Sequence, residues 1–407
     1  MNILFMTLGS INSIFVHGIY TDLIREFDKN GHRVYVITPV DGRFAKKYYY
    51  VKESNTTIIK PRVGNNRKTN IIEKGINTVL IGATFKSTIK KCLSDVKFDL
   101  VLYSTPPITF LTAIEYVKNR DGARTYLMLK DIFPQNAVDI GLMKKTGVKG
   151  LLYRHFRKQE MILYQISDKI GCMSPANVRY VIRHNKKLDP GKVGICPNAI
   201  EVIDISVGMD TRDDIRLKHD IPLDKVVFVY GGNLGKPQGI PFLIKCIKNC
   251  YDIEDAFFLI IGDGTEYNML EEFVRKERPE NAKLLKELPK EDYENMVGAC
   301  DVGLIFLDHR FTIPNFPSRM LSYMQSKLPI LACTDPNTDV GKTIIDGGFG
   351  WWCESNDPKQ FAETVKQALK SDRGAFGENG YEFLLKNYSV IDVVKDITGD
   401  FQEYSNK

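Results

Sequence analysis

The sequence predicts an α/β protein built from two doubly wound parallel-sheet domains. Short apolar runs typical of strands alternate with amphipathic helical stretches along the chain, which is the order of a parallel sheet. This order starts a second time near residue 226, after a polar stretch from about residue 205 to residue 222. With 407 residues, the chain is long enough for two such Rossmann-like domains.

The first half of the chain opens with the strand–helix–strand unit from which such sheets are built. A strand over residues 2–8 is followed by a helix predicted from about Val16 to Asn30 and by a second strand. The six strands predicted in this half cover residues 2–8, 34–38, 100–103, 126–129, 170–173 and 193–196. Polar residues follow several of these strands, at the sheet edge where open α/β folds bind ligands.

The second half begins with the stretch over residues 226–247, VVFVYGGNLGKPQGIPFLIKCI. Five apolar or aromatic residues predict a buried strand, and a helix is predicted from Ile240, with Pro241 in its first turn. The glycines between them allow close backbone approach, and a helix N-terminus attracts anions. This pattern predicts a phosphate or diphosphate site, with an ordinary strand-to-helix turn as the alternative.

The loop spacing is neither the dinucleotide fingerprint nor a Walker motif, which weakens the NAD and NTPase hypotheses. Four further strands are predicted over residues 257–261, 283–285, 302–306 and 329–332. From Ser389 the tail is amphipathic, and we expect it to pack on a domain.

The net charge of +6 conceals two halves of opposite sign. Residues 1–200 contain 32 Lys and Arg against 15 Asp and Glu, whereas the remaining residues carry a net charge of −11. Basic and aromatic residues interleave over Arg43–Lys52, and further positive charge lies in Asn65–Lys68 and Lys86–Lys91. This pattern favours peripheral contact with an anionic membrane, with a solvated surface as the alternative. Nucleic acid is not an expected partner, because no recognisable nucleic-acid-binding motif accompanies the charge.

Compartment and redox state are predicted from what the sequence contains. No apolar run approaches the ~20 residues of a membrane span. From the first residues, MNILFMTLGS, we expect a strand and not a cleavable leader. The eight cysteines are scattered without a C-x-x-C pair, so we expect reduced thiols in a cytoplasmic protein.

Four motifs stand out in the two halves of the chain. Residues 130–141 read KDIFPQNAVDIG, and residues 232–239 read GNLGKPQG. Residues 262–264 read GDG, and residues 317–329 read PSRMLSYMQSKLP. Together these motifs resemble the retaining GT-B glycosyltransferases of family 4, and they are most similar to bacterial enzymes of O-antigen and capsule synthesis. The corresponding segments of that subgroup are R-D-L-W-P-E-S, G-N-[IL]-G-x-x-Q-G, G-D-G and P-S-K-x-x-E-Y-M-x-x-x-x-P.

The resemblance implies a GT-B fold whose two domains face a central cleft. An acceptor-binding domain would span residues 1–203, with the helix of about 389–407 packing back on it, and a donor-binding domain would span residues 204–388. The expected activity is that of a retaining hexosyl- or N-acetylhexosaminyl-transferase in surface polysaccharide synthesis. A nucleotide-sugar, expected to be a UDP-sugar, would be the donor, and a lipid-linked saccharide at the inner face of the cell membrane the acceptor. No metal or other cofactor is expected.

The sequence departs from the family pattern at two places. Asn233 and Gln238 stand where most members have the Arg and Lys of the phosphate loop, so two diphosphate-binding cations are missing. Pro314 and Ser322 replace the glutamates of the family's E-x7-E motif, of which the second commonly binds ribose. Other positive groups must therefore stabilise the diphosphate.

The candidate site residues fall into three groups. The predicted catalytic residues are Asp131, Lys236 and Arg319. The predicted donor-binding residues are Gly232, Asn233, Gly235, Gln238, Gly239, Gly262, Asp263, Gly264, Ser318 and Ser322. On the acceptor side we expect Gly9, Ser10, His17 and Thr105. Asp131 aligns with the region of the family's active-site histidine, and its alternative role is to cap a helix. The alternative role of His17 is to fill space in the packing of the first helix.

Two other functions remain open from the sequence. A UDP-sugar 2-epimerase shares the two-domain architecture and would change its sugar nucleotide without an acceptor. A non-catalytic nucleotide-sugar-binding subunit would explain the missing glutamates. Transfer or hydrolysis of a UDP-sugar would exclude the second.

Overall fold

A computed structural model of the chain describes residues 1–40, 48–63, 71–147 and 149–405. The chain divides into two compact units, one formed by residues 1–201 and 390–407, the other by residues 202–389. Each unit contains its own largely parallel sheet with helices, so the predicted pair of parallel-sheet α/β domains is confirmed.

The first unit is organised around an eight-stranded sheet with the order β3-β4-β2-β1-β5-β6-β7-β8. Its strands are β1 (Asn2–Met6), β2 (Arg33–Ile37), β3 (Tyr48–Glu53), β4 (Thr56–Pro61), β5 (Leu100–Ser104), β6 (Arg124–Leu129), β7 (Lys169–Cys172) and β8 (Val193–Ile195). Its helices before the second unit are α1 (Ile19–Lys29), α2 (Ile71–Cys92), α3 (Leu111–Asp121), α4 (Gln135–Asp139), α5 (Lys149–Ile166) and α6 (Pro175–His184).

The sequence analysis missed β3 and β4, and β3 pairs antiparallel with β4 at the sheet edge. The first helix was predicted too long, because it begins at Ile19 and not at Val16. Gly18 is the N-cap of this helix, and its extended backbone angles, φ 162° and ψ 159°, are not helical, so the helix begins at the next residue. Consequently His17, expected on this helix, lies in the preceding loop.

The segments expected to contact a membrane are only partly described. Residues 48–52 of Arg43–Lys52 belong to β3, whereas residues 43–47 and all of Asn65–Lys68 lie outside the described residues. In α2, the ammonium groups of Lys86 and Lys90 lie 5.7 and 5.0 Å from the ring centroid of Tyr116. These two lysines therefore pack on an aromatic ring of the same unit.

The second unit contains a six-stranded parallel sheet with the order β11-β10-β9-β12-β13-β14. Its strands are β9 (Val226–Asn233), β10 (Ala256–Asp263), β11 (Ala282–Leu285), β12 (Val302–Phe306), β13 (Ile330–Thr334) and β14 (Gly350–Glu354). Its helices are α7 (Met209–Lys218), α8 (Ile240–Asn249), α9 (Tyr267–Glu277), α10 (Lys290–Gly298), α11 (Arg319–Gln325), α12 (Val340–Asp346), α13 (Pro358–Lys370) and α14 (Arg373–Asn387).

The core of the second unit explains why β9 is central. Phe228 of β9 stacks on Phe258 of β10 with ring centroids 5.5 Å apart, and Phe361 of α13 packs against Phe258 and Phe306. All four rings are almost completely buried. This apolar packing fixes the ends of β9 and β10, from which the glycine-containing loops emerge.

The C-terminal helix, α15 (Val390–Ser405), returns to the first unit. Its Val390, Val394 and Ile397 are buried in the same core as Phe5 of β1 and Phe27 of α1. Among the described helices, none combines the length and the apolar composition needed to cross a bilayer. None of the eight cysteines, all of which lie in the described part of the chain, forms a disulfide, and seven of them are buried.

Candidate active site

The glycine loop, residues 231–239, is held in its conformation by hydrogen bonds to one of its own neutral side chains. The side-chain oxygen of Gln238 accepts hydrogen bonds from the Asn233 amide (3.0 Å) and from the backbone N–H of Gly235 (3.2 Å). Lys236 is exposed in a single 3-10 turn that leads into α8. The two residues that replace the family's cations therefore shape the loop and add no positive charge.

Three glycines are required in and beside this loop, for two different reasons. Gly239 has φ 61°, a left-handed conformation that side chains with a Cβ rarely adopt. A Cβ on Gly262 would lie 1.9 Å from the carbonyl oxygen of Gly232, and one on Gly264 would lie 2.4 Å from that of Leu234. Gly262 and Gly264 thus let the ends of β9 and β10 approach more closely than any other residue would allow.

Arg319 supplies the cation next to this loop. Its guanidinium carbon lies 4.2 Å from the ring centroid of Tyr230, a cation–π distance. A Cβ built on Gly232 would lie 3.5 Å from Nη2, so the guanidinium is in contact distance of the glycine loop. Its Nη1 is buried without a hydrogen-bond partner among the described residues. Burial acts to lower the pKa of Arg319, but interactions with Tyr230 and Tyr323 outweigh it and raise the pKa.

A buried, unpaired guanidinium nitrogen is costly, because it has lost its hydration without gaining a partner. Such a group is well suited to an anionic ligand, since phosphate oxygens accept two hydrogen bonds from one guanidinium. By contrast, Arg310 on the neighbouring loop already binds both carboxylate oxygens of Asp308, at 2.8 and 2.7 Å. Arg319 therefore has a donor nitrogen with which it can bind a ligand, whereas the guanidinium of Arg310 is already bound to a carboxylate.

A pocket of about 450 Å³ opens at the carboxyl ends of β9 and β10. Its volume lies in the range of small-molecule sites. Four of the lining residues were predicted from the glycine motifs: Gly232, Asn233, Gly262 and Asp263. Five lining residues were not predicted: Ile261, Glu287, Leu288, Lys290 and Tyr293. The loop after β11 supplies Glu287 and Leu288, and α10 supplies Lys290 and Tyr293. The rule that ligands bind past strand ends could have identified this loop.

The two predicted serines lie beside Arg319 in the sequence. Ser318 is exposed at the start of α11 and makes no capping hydrogen bond. Ser322 lies one turn later and is half-buried. Neither is among the residues that line the pocket.

In the first unit, Thr105 and Asp131 are joined where β5 and β6 end. The Thr105 hydroxyl donates to the backbone carbonyl of Asp131 (3.2 Å) and accepts from the backbone N–H of Lys130 (3.2 Å). The Asp131 carboxylate accepts a hydrogen bond from Asn136 at 2.6 Å. Burial raises the pKa of the Asp131 carboxyl to about 6, although hydrogen bonds from Ile132 and Asn136 act to lower it.

Lys130 is a half-buried cation that the sequence analysis did not select. Its ammonium lies 3.4 and 3.3 Å from the carbonyl oxygens of Cys196 and Pro197, and burial lowers its pKa. Only its place immediately before Asp131 marked it in the sequence. The first unit thus contains adjacent positive and negative groups at one strand end.

Gly9 and His17 lie in the loop between β1 and α1. The backbone N–H of Gly9 donates to the Thr7 hydroxyl (3.0 Å), which also accepts from Ser104 (3.2 Å), so Gly9 belongs to the same sheet edge as Thr105. Ser10 is exposed. His17 is directed to α1 instead, with Nδ1 3.2 Å from Arg25.

His17 also belongs to a group of potential metal ligands, with Asp22 and Glu201. Nη2 of Arg25 lies 2.7 Å from the Asp22 carboxylate and 2.6 Å from that of Glu201, and Lys29 binds the second oxygen of Glu201. These cations already neutralise the two carboxylates. The group is therefore an ion-pair network that joins α1 to the end of the first unit.

We expect a pH profile that reports Asp131. If its carboxylate acts on the reacting groups, kcat should fall as the pH decreases through about 6, because the carboxyl becomes protonated there. The variant Asp131→Asn should lose most activity and this acidic limb together, whereas Asp189→Asn, an exposed control in the same unit, should keep both. An unchanged acidic limb in Asp131→Asn would assign the titration to another group.

Comparison with known proteins adds family matches for both units. Residues 19–203 match the family model "Glycosyltransferase Family 4", and residues 211–383 match "Glycosyl transferases group 1". The probable glycosyltransferase WbjE of Pseudomonas aeruginosa is 25% identical over 330 residues, which cover 81% of this chain and 79% of WbjE.

Two solved structures have the same fold. Sucrose-phosphate synthase from Thermosynechococcus elongatus aligns with 100% of this chain and 99% of its own, with a TM-score of 0.77 and 13% identity. Anabaena Alr3699/HepE in complex with UDP-glucose aligns with 99% of this chain and 100% of its own, with a TM-score of 0.69 and 14% identity. Since both units match glycosyltransferase families and the whole chain shares this fold, the protein is a GT-B glycosyltransferase of the group 1 and family 4 type.

Proposed function

We propose that this enzyme transfers a hexosyl or N-acetylhexosaminyl group from a UDP-sugar to a lipid-linked saccharide during bacterial surface polysaccharide synthesis, with retention of anomeric configuration. The UDP-sugar is supported by the HepE complex with UDP-glucose, which has the same fold. The acceptor and the pathway are supported by the four motifs shared with O-antigen and capsule enzymes. We place the enzyme in the cytoplasm, peripheral to the inner face of the cell membrane.

The observation that carries the proposal is the unpaired Nη1 of Arg319 beside Gly232, next to the pocket in the second unit. Departure of a sugar from a nucleoside diphosphate leaves negative charge on the outer phosphate. A preorganised guanidinium in a buried site stabilises that charge without rearrangement. Arg319 thereby replaces the two loop cations that Asn233 and Gln238 do not supply.

On the acceptor side, Asp131 orients the attacking hydroxyl or stabilises positive charge at the anomeric carbon. Retention without a covalent intermediate then requires attack on the face that the diphosphate leaves, with a diphosphate oxygen accepting the hydroxyl proton. We propose no metal ion in this step, because Arg319, the exposed Lys236 and the loop N–H groups provide the positive charge.

A donor screen tests this function. Thermal unfolding should be measured with UDP and with UDP-glucose, UDP-galactose and UDP-N-acetylglucosamine, because a ligand that binds the native state raises the melting temperature. The proposal expects stabilisation by UDP and one UDP-sugar, followed by UDP release that rises when membranes containing acceptor are added. NMR of the product should show the donor's anomeric configuration. Conversion of the donor to its 2-epimer without an acceptor, or inversion in the product, would contradict it.

A further inference from the structure

The helix α5 exposes an unusual number of apolar side chains. Leu151, Leu152 and Met161 are 60%, 50% and 42% exposed. At about 100° per residue, the exposed residues of α5 span about half of the helix circumference. Leu151 lies at the centre between Lys158 and His155, and Leu152 and Met161 lie at opposite edges. We call this side the α5 outer face: Leu151, Leu152, Arg154, His155, Lys158 and Met161. Single exposed leucines are common, but a cluster on one helix face indicates a binding surface.

This exposure does not come from a loosely attached helix. On the opposite side of α5, Leu163 and Tyr164 are almost completely buried. Phe156 packs edge-on against Phe133 with ring centroids 5.1 Å apart. Arg157 binds the side chain of Asn185 after α6 at 2.6 Å. The inner face of α5 is therefore fully packed against the first unit, and the apolar residues on its outer face are not part of the core.

The charges of the α5 outer face are all positive. Arg154 and Lys158 are exposed there. The only acidic residue of α5, Glu160, is 3% exposed on the inner side, where it binds Arg157 and Tyr164. An anionic partner would thus meet cations and no opposing carboxylate on this face.

The turn that precedes α5 extends the same chemistry. Leu142 is 62% exposed, and Lys144 and Lys145 are exposed beside it. The ammonium group of Lys145 lies 5.6 Å from the ring centroid of Tyr153, which brings this turn against the beginning of the helix. The turn and the helix together present apolar residues surrounded by four cations.

We propose that the α5 outer face, with the turn at residues 142–145, docks on the surface of a bilayer that contains anionic phospholipid. Leucine and methionine side chains enter the interfacial region, while lysine and arginine bind headgroup phosphates. This inference rests on the proposed function for its lipid-linked acceptor. It assigns a membrane contact to α5, which the sequence analysis did not select.

The docking surface is also close to the acceptor side of the first unit. Phe133, against which α5 packs, lies two residues after Asp131 in the chain. One side of α5 thus supports the segment that holds Asp131, and the other side faces the bilayer. A lipid-linked acceptor would then be held near the group that acts on it.

Vesicle co-sedimentation of the full chain tests the surface. The wild type should bind vesicles of phosphatidylcholine mixed with phosphatidylglycerol, more weakly as salt increases, and should bind phosphatidylcholine alone much less. The double variant Leu151→Glu/Leu152→Glu should reduce binding about tenfold or more, since it removes apolar insertion and adds repelling charge. Leu217→Glu is the matched control, because Leu217 is 62% exposed in α7 of the second unit. Arg154→Gln/Lys158→Gln should weaken the dependence on phosphatidylglycerol.

Equal vesicle binding by the wild type and the Leu151/Leu152 variant would overturn the proposal, as would wild-type binding that ignores lipid charge and salt. The increase in melting temperature caused by UDP should be measured on the same variants, because it distinguishes a loss of membrane docking from a loss of donor binding. A variant that loses vesicle binding but keeps the UDP effect supports docking, whereas a wild type that binds vesicles without any UDP effect contradicts the proposed function alone. A wild-type dimer that the variant converts to monomer, with no vesicle binding, would make this face a protein interface.

Discussion

Replacement of Arg319 by alanine is expected to lower kcat for sugar transfer about 100-fold, with a much smaller change in donor affinity. The guanidinium lies 4.2 Å from the Tyr230 ring centroid and has an unpaired nitrogen, so it is held in place before the reaction starts. Removal of one such stabilising group typically costs on the order of 100-fold in rate. The larger effect falls on kcat because charge on the diphosphate develops mainly in the transition state.

Steady-state kinetics with the donor identified by the screen would measure this effect. Arg319→Lys should recover part of the rate, since an ammonium supplies charge without the planar pair of hydrogen bonds. Arg275→Ala, which removes an exposed arginine from α9, is the control. Thermal melting of each variant separates loss of rate from loss of folding. A wild-type kcat in a folded Arg319→Ala protein would refute the assignment and make Lys236 the better candidate.

The largest expected effect on stability comes from Gly262→Ala. The new methyl group would lie 1.9 Å from the Gly232 carbonyl oxygen, a distance at which the ends of β9 and β10 must separate. Overpacking of this severity costs about 3 kcal/mol, and the separated strands should also lose UDP binding.

Gly208→Ala provides the matched control for this substitution. Gly208 belongs to the same unit and has φ −66°, and no atom of the described residues lies within 4 Å of the place that its new methyl group would take. Denaturant unfolding and UDP-induced stabilisation should be measured on both variants. If Gly262→Ala unfolded at the same denaturant concentration as Gly208→Ala and still bound UDP, the close approach of the two strands would not be required.

Much of the second unit could be predicted from the sequence because its strands are buried on both faces. Runs such as VVFVY and LIF are continuous and apolar, and the glycines that follow β9 and β10 mark sharp changes of backbone direction. β14 was missed, because its sequence GWWCE is short, begins with a glycine and follows Gly347, Gly348 and Phe349. β3 was missed because YYYVKE reads as a basic aromatic surface, although β3 pairs with β4 in a local antiparallel hairpin.

The candidate site was predictable only where it depends on local sequence. Glycines that fit a close approach leave a local pattern, so Gly262 and Gly264 could be identified. Three features of the site depend on how distant elements pack: the contacts of Lys130 with the carbonyls of residues 196 and 197, the pocket residues Glu287 and Tyr293, and the outward leucines of α5. A helix with apolar residues on both sides gives no sequence signal that distinguishes a core from a docking face.

The return of α15 to the first unit has a consequence for how this enzyme could be re-engineered. The backbone N–H of Val390 donates to the carbonyl of Ile200 at 3.1 Å, so the chain leaves the first unit and re-enters it at adjacent points. Residues 202–389 are therefore a single insertion with neighbouring ends, the arrangement in which domain insertion is tolerated. A corresponding unit from another glycosyltransferase could be grafted between Glu201 and Val390 as one cassette, with every strand of the eight-stranded sheet left in its native order.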